Sequence, residues 1–160
     1  MTVAHPPILE TLCLHWPNEA ACEAFARGLA AREGIGHALV ELHGPLGAGK
    51  TTFARHLLRA LGVPDRIKSP TYALMEPYAL PTGGAATHLD FYRFADPREW
   101  LDAGLRDVFG APGLKLIEWP DNARGLLPLA DLRLAIEPQD DQSREVRVDA
   151  FTPRGVALLA

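Results

Sequence analysis

Apolar and polar residues alternate from Thr11 to Trp16, the two-residue period of a strand with one face turned inward. The alanine-rich run Glu19 to Ala30 that follows has helical spacing, and Asn18 in front of it offers the side-chain oxygen of an N-cap. His37 to His43 is apolar through its middle, as expected of a parallel strand covered on both faces, and it runs directly into a glycine-rich turn. A helix is predicted from Lys50 to Leu61, closed by Gly62-Val63-Pro64, because glycine suits the left-handed cap and proline cannot continue the ladder. After a loop at Ser69-Pro70-Thr71, Tyr72 to Leu80 and Ala86 to Tyr92 read as a hairpin around the turn Pro81-Thr82-Gly83-Gly84. Asp96, Pro97 and Glu99 make a consistent helix start. Leu114 to Ile117 is a short buried strand, and Asp131 to Ile136 pairs with Glu145 to Phe151 across the polar connection Gln139 to Ser143. This alternation of strands and helices, with no repeat or linker, predicts a three-layer α/β domain on a mixed, mostly parallel central sheet with a C-terminal β-hairpin.

Composition narrows the class. The chain has 160 residues, 48% of them hydrophobic and 22% charged, with a formal net charge of −4. That is one domain over residues 1–160, too apolar for intrinsic disorder and too acidic for a basic nucleic-acid-binding surface, so any phosphate binding has to be local. The longest apolar stretches, such as Gly113 to Ile117 and Leu126 to Ala130, fall far short of a bilayer span. Met1 to Trp16 does not show the basic start, apolar middle and cleavage site of a secretory leader, so a cytoplasmic location is the expectation. Cys13 and Cys22 form no metal-binding or disulfide pattern and read as two buried thiols.

The strongest chemical signal is Gly44-Pro45-Leu46-Gly47-Ala48-Gly49-Lys50-Thr51, a full GxxxxGK[ST] match between a predicted strand and a predicted helix. Glycines there let the backbone approach a polyphosphate and turn amide N–H groups toward it at a helix N-terminus. Gly44, Leu46, Gly47, Ala48, Gly49, Lys50, Thr51 and Thr52 are therefore the expected nucleotide-binding residues of a P-loop NTPase-like domain. In that arrangement Lys50 bridges the β- and γ-phosphates of ATP and the Thr51 hydroxyl ligates Mg2+. A further carboxylate is expected at the end of another parallel strand. Glu118, directly after Leu114-Lys115-Leu116-Ile117, fits that description. Trp119 either shapes the edge of the site or fills core. His88, Asp90 and Tyr92 share one strand face and suggest a wet cleft, in which Asp90 holds a metal-bound or attacking water, unless it pairs with Arg93 at the strand end. Ser69 to Tyr72 reads as a nucleotide-sensing loop or a simple turn, and Arg144 by itself as a surface arginine.

Taken together, Gly-x-Leu-Gly-Ala-Gly-Lys-Thr-Thr-Phe at 44–53, Lys-Ser-Pro-Thr-Tyr at 68–72, His-Leu-Asp-x-Tyr-Arg at 88–93 and Glu-Trp-Pro at 118–120 resemble the bacterial TsaE (YjeE) family in order and spacing. The resemblance runs from about Trp16 to Phe151. It implies the ATPase component of the machinery that makes N6-threonylcarbamoyladenosine (t6A) at position 37 of tRNA, acting with the TsaD–TsaB heterodimer and reaching tRNA only through that complex. It also implies that Lys50 and Thr51 are the loop lysine and Mg2+ ligand, Glu118 the second Mg2+ ligand and Asp90 a carboxylate needed for hydrolysis. Glu19 is placed near the adenine and Arg144 near the nucleotide. Pro45, where the family often has an acid, and the Pro81 to Ala86 turn depart from the pattern. Two other readings stay open: a small nucleoside or metabolite kinase, although no arginine-rich helix follows to cover the phosphates, and a nucleotide switch without turnover.

Overall fold

The structure, a computed structural model, describes residues 6–64, 67 and 74–160. Seven strands, β1 (Glu10–Trp16), β2 (Leu39–His43), β3 (Met75–Ala79), β4 (Ala85–Asp90), β5 (Leu114–Glu118), β6 (Leu132–Pro138) and β7 (Arg144–Ala150), form one sheet in the order β1-β7-β6-β2-β5-β4-β3. Strands β6, β2, β5 and β4 are mutually parallel. Antiparallel β3 closes one edge, and the antiparallel pairs β6–β7 and β7–β1 close the other. Five of these seven strands thus run in one direction, the mixed and mostly parallel sheet that the pattern predicts. Both hairpins form, β3–β4 and β6–β7, whereas Tyr72 and the whole Ser69 to Tyr72 loop lie outside the described residues.

The helices α1 (Glu19–Ala30), α2 (Lys50–Ala60), α3 (Pro97–Asp102), α4 (Leu105–Gly110) and α5 (Pro153–Leu159) complete the three layers. Alternation along the strands sorts the core into two faces. Val40, Leu42, Leu114, Leu116, Leu132 and Leu134 meet α1, α2 and Leu158 of α5 on one face. Leu39, Leu89 and Ile117 meet Leu105 of α4, Trp100 of α3 and Phe109 on the other. Strand β5 is buried at every position, so Lys115 can only be accommodated by bending its ammonium back onto the Ala111 and Gly113 carbonyls, each at 3.1 Å. Asn18 caps α1 by accepting from the Ala21 N–H at 3.1 Å, and Asp96 with Glu99 forms a full capping box on α3. Helices α4 and α5 were not anticipated, being only six and seven residues long and therefore too short for a periodic signal.

Two side chains lie on the opposite side of the burial boundary from what the sequence pattern predicts. Cys13 is exposed and only Cys22 is buried, because the inward residues of edge strand β1 are Leu12, Leu14 and Trp16 while Cys13 points outward with Thr11 and His15. His88 is fully buried instead of lining a wet face, since it stands opposite Leu116 on the core-facing side of β4 with Ala86 and its ring meets the Glu118 carboxylate. Among the described residues no helix is long and apolar enough to cross a membrane.

Candidate nucleotide site

Strand β2 ends at His43 and the chain reverses through Gly44 to Gly49 into α2. Gly44 (φ 146°) has to be glycine, for a Cβ there would stand 2.5 Å from the Ile136 carbonyl oxygen of β6. Gly49 (φ 108°) is the N-cap of α2 and supplies no side-chain acceptor, so the first-turn N–H groups remain oriented toward the cleft with the positive end of the helix behind them. A cavity of about 520 Å3 opens over this loop. It gathers Leu46, Gly47, Ala48, Gly49, Lys50, Thr51 and Thr52 from the loop and α2, Asp90 from β4, Glu118 and Trp119 from the end of β5, and Arg144 from β7. The C-terminal edge of the parallel strands is where open α/β sheets bind their ligands.

Glu118 is 3% exposed, and both of its oxygens accept from the Thr51 hydroxyl, at 2.9 and 3.0 Å. Oxygen donors from a hydroxyl and a carboxylate, side by side, suit Mg2+, which takes few protein ligands and completes its shell with phosphate oxygens and water. Among the described residues no group of three His, Cys, Asp or Glu is placed to hold a metal. Lys50 is buried, with its ammonium donating to the Gly44 carbonyl and, at 3.4 Å, to that of Pro45. The same nitrogen lies 3.6 Å from the centre of the Trp119 ring. Trp119 is partly buried, lies 5.0 Å from Tyr92 and lines the cleft while also packing against the core cluster of Leu89, Phe91 and Ile117, so it serves both as wall and as core cover. Its backbone is left-handed (φ 56°, ψ 47°), a conformation an indole-bearing residue adopts only when its surroundings impose it, here the reversal from β5 into the turn Pro120–Ala123.

Charge follows from burial. Desolvation lowers the Lys50 pKa below the ordinary lysine range, partly offset by the Glu118 and Asp90 charges. Desolvation likewise raises the Asp90 carboxyl above its usual range, and the Glu118 charge adds to this, while the Tyr92 N–H, His88 and Lys50 oppose it. Asp90 accepts from the Tyr92 N–H at 2.8 Å, so its position is fixed within its own strand end. A side cavity of about 160 Å3 shares Ala48, Gly49, Thr52 and Arg144 with the main cleft and is bounded by Trp16, Glu19 and Cys22. Glu19 there accepts from His56 at 3.0 Å. Arg144, read alone as a surface residue, instead donates from Nε to the Ala48 carbonyl at 2.8 Å and from Nη1 to the Gln142 carbonyl at 2.6 Å.

A family model described as "Threonylcarbamoyl adenosine biosynthesis protein TsaE" matches residues 16–146. The chain belongs to the TsaE family. It is 41% identical over 122 residues to the tRNA threonylcarbamoyladenosine biosynthesis protein TsaE of Haemophilus influenzae, covering 76% of each chain. The TsaE of Bacillus subtilis is 35% identical over 140 residues, 86% of this chain and 84% of that one. The crystal structure of Bacillus subtilis YdiB superposes with a TM-score of 0.74 at 28% identity, covering 94% of this chain and 92% of that one. The family has its place in threonylcarbamoyladenosine biosynthesis, as the four sequence motifs led one to expect.

Within this TsaE fold the loop, Asp90, Glu118 and Arg144 meet in one cleft, with Glu19 in the adjoining cavity. Sequence reasoning missed the contact between His88 and Glu118, and it missed Trp16 and Cys22 as walls of the side cavity. For Trp16 a signal existed, since it ends a strand two residues before the Asn18 cap of α1. For His88 none did, because polarity on a strand face reads the same whether water or a carboxylate stands opposite.

Proposed function

We propose that this TsaE-family protein binds and hydrolyses Mg2+-ATP within the t6A37 modification machinery, weakly alone and faster with the TsaD–TsaB heterodimer. The observation that carries the reading is the Thr51 hydroxyl set against both Glu118 oxygens at the mouth of the Gly44–Thr51 loop. Loop N–H groups and the N-terminus of α2 bind the phosphates, and Lys50 exchanges the Gly44 carbonyl for phosphate oxygens. Thr51 and Glu118 would hold Mg2+, which supplies charge neutralisation to the departing phosphates. Asp90 lies across the strand pair from Glu118 and orients the attacking water. Thr52 and Arg144 bridge toward the side cavity, whose Glu19 wall is the proposed edge for the adenine. The partner heterodimer is inferred from the family's pathway, and the acidic balance of the chain agrees with a protein partner better than with direct tRNA capture.

Lys50→Ala tests the site. It removes charge-assisted contacts worth about 1.5–3 kcal/mol each, so ATP affinity in titration calorimetry should fall about 10- to 100-fold. Unchanged affinity would remove the nucleotide from this cleft. Phosphate release measured beside phosphate transfer to added nucleosides separates hydrolysis from the kinase alternative.

A further inference from the structure

In the register of β4 on β5, His88 stands opposite Leu116 and Asp90 opposite Glu118. His88 therefore lies one pleat behind the cleft, on the face that α2 covers. Its Nε2 donates to Glu118 Oε2 at 2.6 Å, and both side chains are buried, His88 completely. The other ring nitrogen, Nδ1, is buried without a hydrogen-bond partner among the described residues. Leaving a buried polar atom unmatched costs desolvation free energy without return, and an apolar side chain would avoid that cost. Ala86 on the same face of β4 and Leu116 on the adjacent strand show that this layer is otherwise apolar. What the imidazole contributes is a single hydrogen bond to Glu118. Thr51 donates to the same carboxylate, so Oε2 takes two contacts and Oε1 one, which fixes the plane of the carboxylate and leaves Oε1 the greater spare acceptor capacity.

We propose that His88 is a positioning residue that orients the Glu118 carboxylate for a divalent cation carried in with the nucleotide. This rests on the reading of Thr51 and Glu118 as the Mg2+ site and extends that site to the residue behind it. Hydrogen-bonding partners behind metal-binding groups hold them in the binding orientation, and their loss weakens metal affinity although they never touch the ion.

The test is calorimetric titration of a non-hydrolysable ATP analogue with and without MgCl2, on the full chain and on His88→Leu, His88→Asn, His88→Gln and Glu118→Gln. Leucine removes the donor, asparagine keeps polarity but is too short to reach Glu118, and glutamine places an amide nitrogen near the position of Nε2. The Leu and Asn variants should lose about 10-fold or more of the strengthening that Mg2+ gives, with metal-free affinity within about twofold of the original, and the Gln variant should recover most of it. If His88→Leu does not fold, the Asn and Gln pair carries the comparison. Equal losses with and without Mg2+, or no recovery by Gln, would overturn the positioning role in favour of a structural one. Full Mg2+ strengthening in the Leu and Asn variants while Glu118→Gln loses it would overturn the His88 proposal and leave the metal site standing. Full strengthening in Glu118→Gln as well would remove the metal site itself, and the proposal with it.

Discussion

Asp90 sits where two roles diverge in sign. Burial and the neighbouring Glu118 charge hold its carboxyl above the ordinary carboxylate range. A carboxyl raised on folding stabilises the fold fully below its unfolded pKa, and that contribution is lost as pH rises through the folded value. At neutral pH the ionised Asp90 is therefore a burden on the fold, and Asp90→Asn should melt at the same temperature as the parent or higher. The difference should vanish as the pH falls below about 4, the ordinary carboxylate range. Hydrolysis should meanwhile drop by about 100-fold or more if the carboxylate orients the water. Melting curves over pH and phosphate release per folded molecule check both arms. A lower melting temperature with normal turnover would reduce Asp90 to a structural residue. Its place in the cleft was legible from the strand period alone, but its electrostatic state was not, because that depends on Glu118 arriving from an adjacent strand 28 positions later in the chain.

At the scale of elements, the loop between β2 and α2 is held in place by β6. Gly44 and Gly47 both have positive φ, yet a Cβ at Gly44 meets the Ile136 carbonyl oxygen at 2.5 Å and one at Gly47 meets nothing within 4 Å. Alanine at either position incurs the left-handed or mirror-region cost, about 1–2 kcal/mol, whereas at Gly44 the backbone of β6 must also yield. Gly44→Ala should thus lower the melting temperature clearly more than Gly47→Ala, by several degrees beyond it, since about 1 kcal/mol corresponds to about 2–4 °C in a domain this size. Equal shifts in thermal melting would mean that the loop does not rest on β6. The glycine pattern announced the loop in the sequence. Its support by β6 was hidden, as was the Arg144 contact with Ala48, because both join segments more than ninety positions apart and leave no local periodicity. The same blindness explains Cys13 and His88: an alternating pattern gives the two faces of a strand but not what covers each one.

For the whole molecule, under the proposed ATPase reading, the question is what would limit turnover in the isolated chain. The ammonium of Lys50 rests on the Gly44 carbonyl and the Trp119 ring, and the guanidinium of Arg144 is committed to the backbone carbonyls of Ala48, Gln142 and Ser143. On the proposed reading Lys50 has to exchange those contacts to reach a developing phosphate charge, and Arg144 is held at the cleft wall by its Nε and Nη1. Leu46 at the loop tip is 74% exposed and Tyr92 across the cleft is half-exposed, so apolar side chains rim the opening where a protein could close over it. On the proposed reading, phosphate release by the chain alone should be slow, and addition of TsaD–TsaB should raise it by ~10-fold or more, the order expected when a partner completes charge stabilisation. Trp119 provides a second readout, because nucleotide that draws Lys50 off the indole should change its fluorescence, and Trp119→Phe should remove that component, leaving any change from Trp16 at the side cavity and Trp100 as the background. Fast hydrolysis by the isolated chain, unchanged on adding the heterodimer, would sink the partner-dependent reading, because the contacts now holding Lys50 and Arg144 would then impose no barrier that a partner could remove.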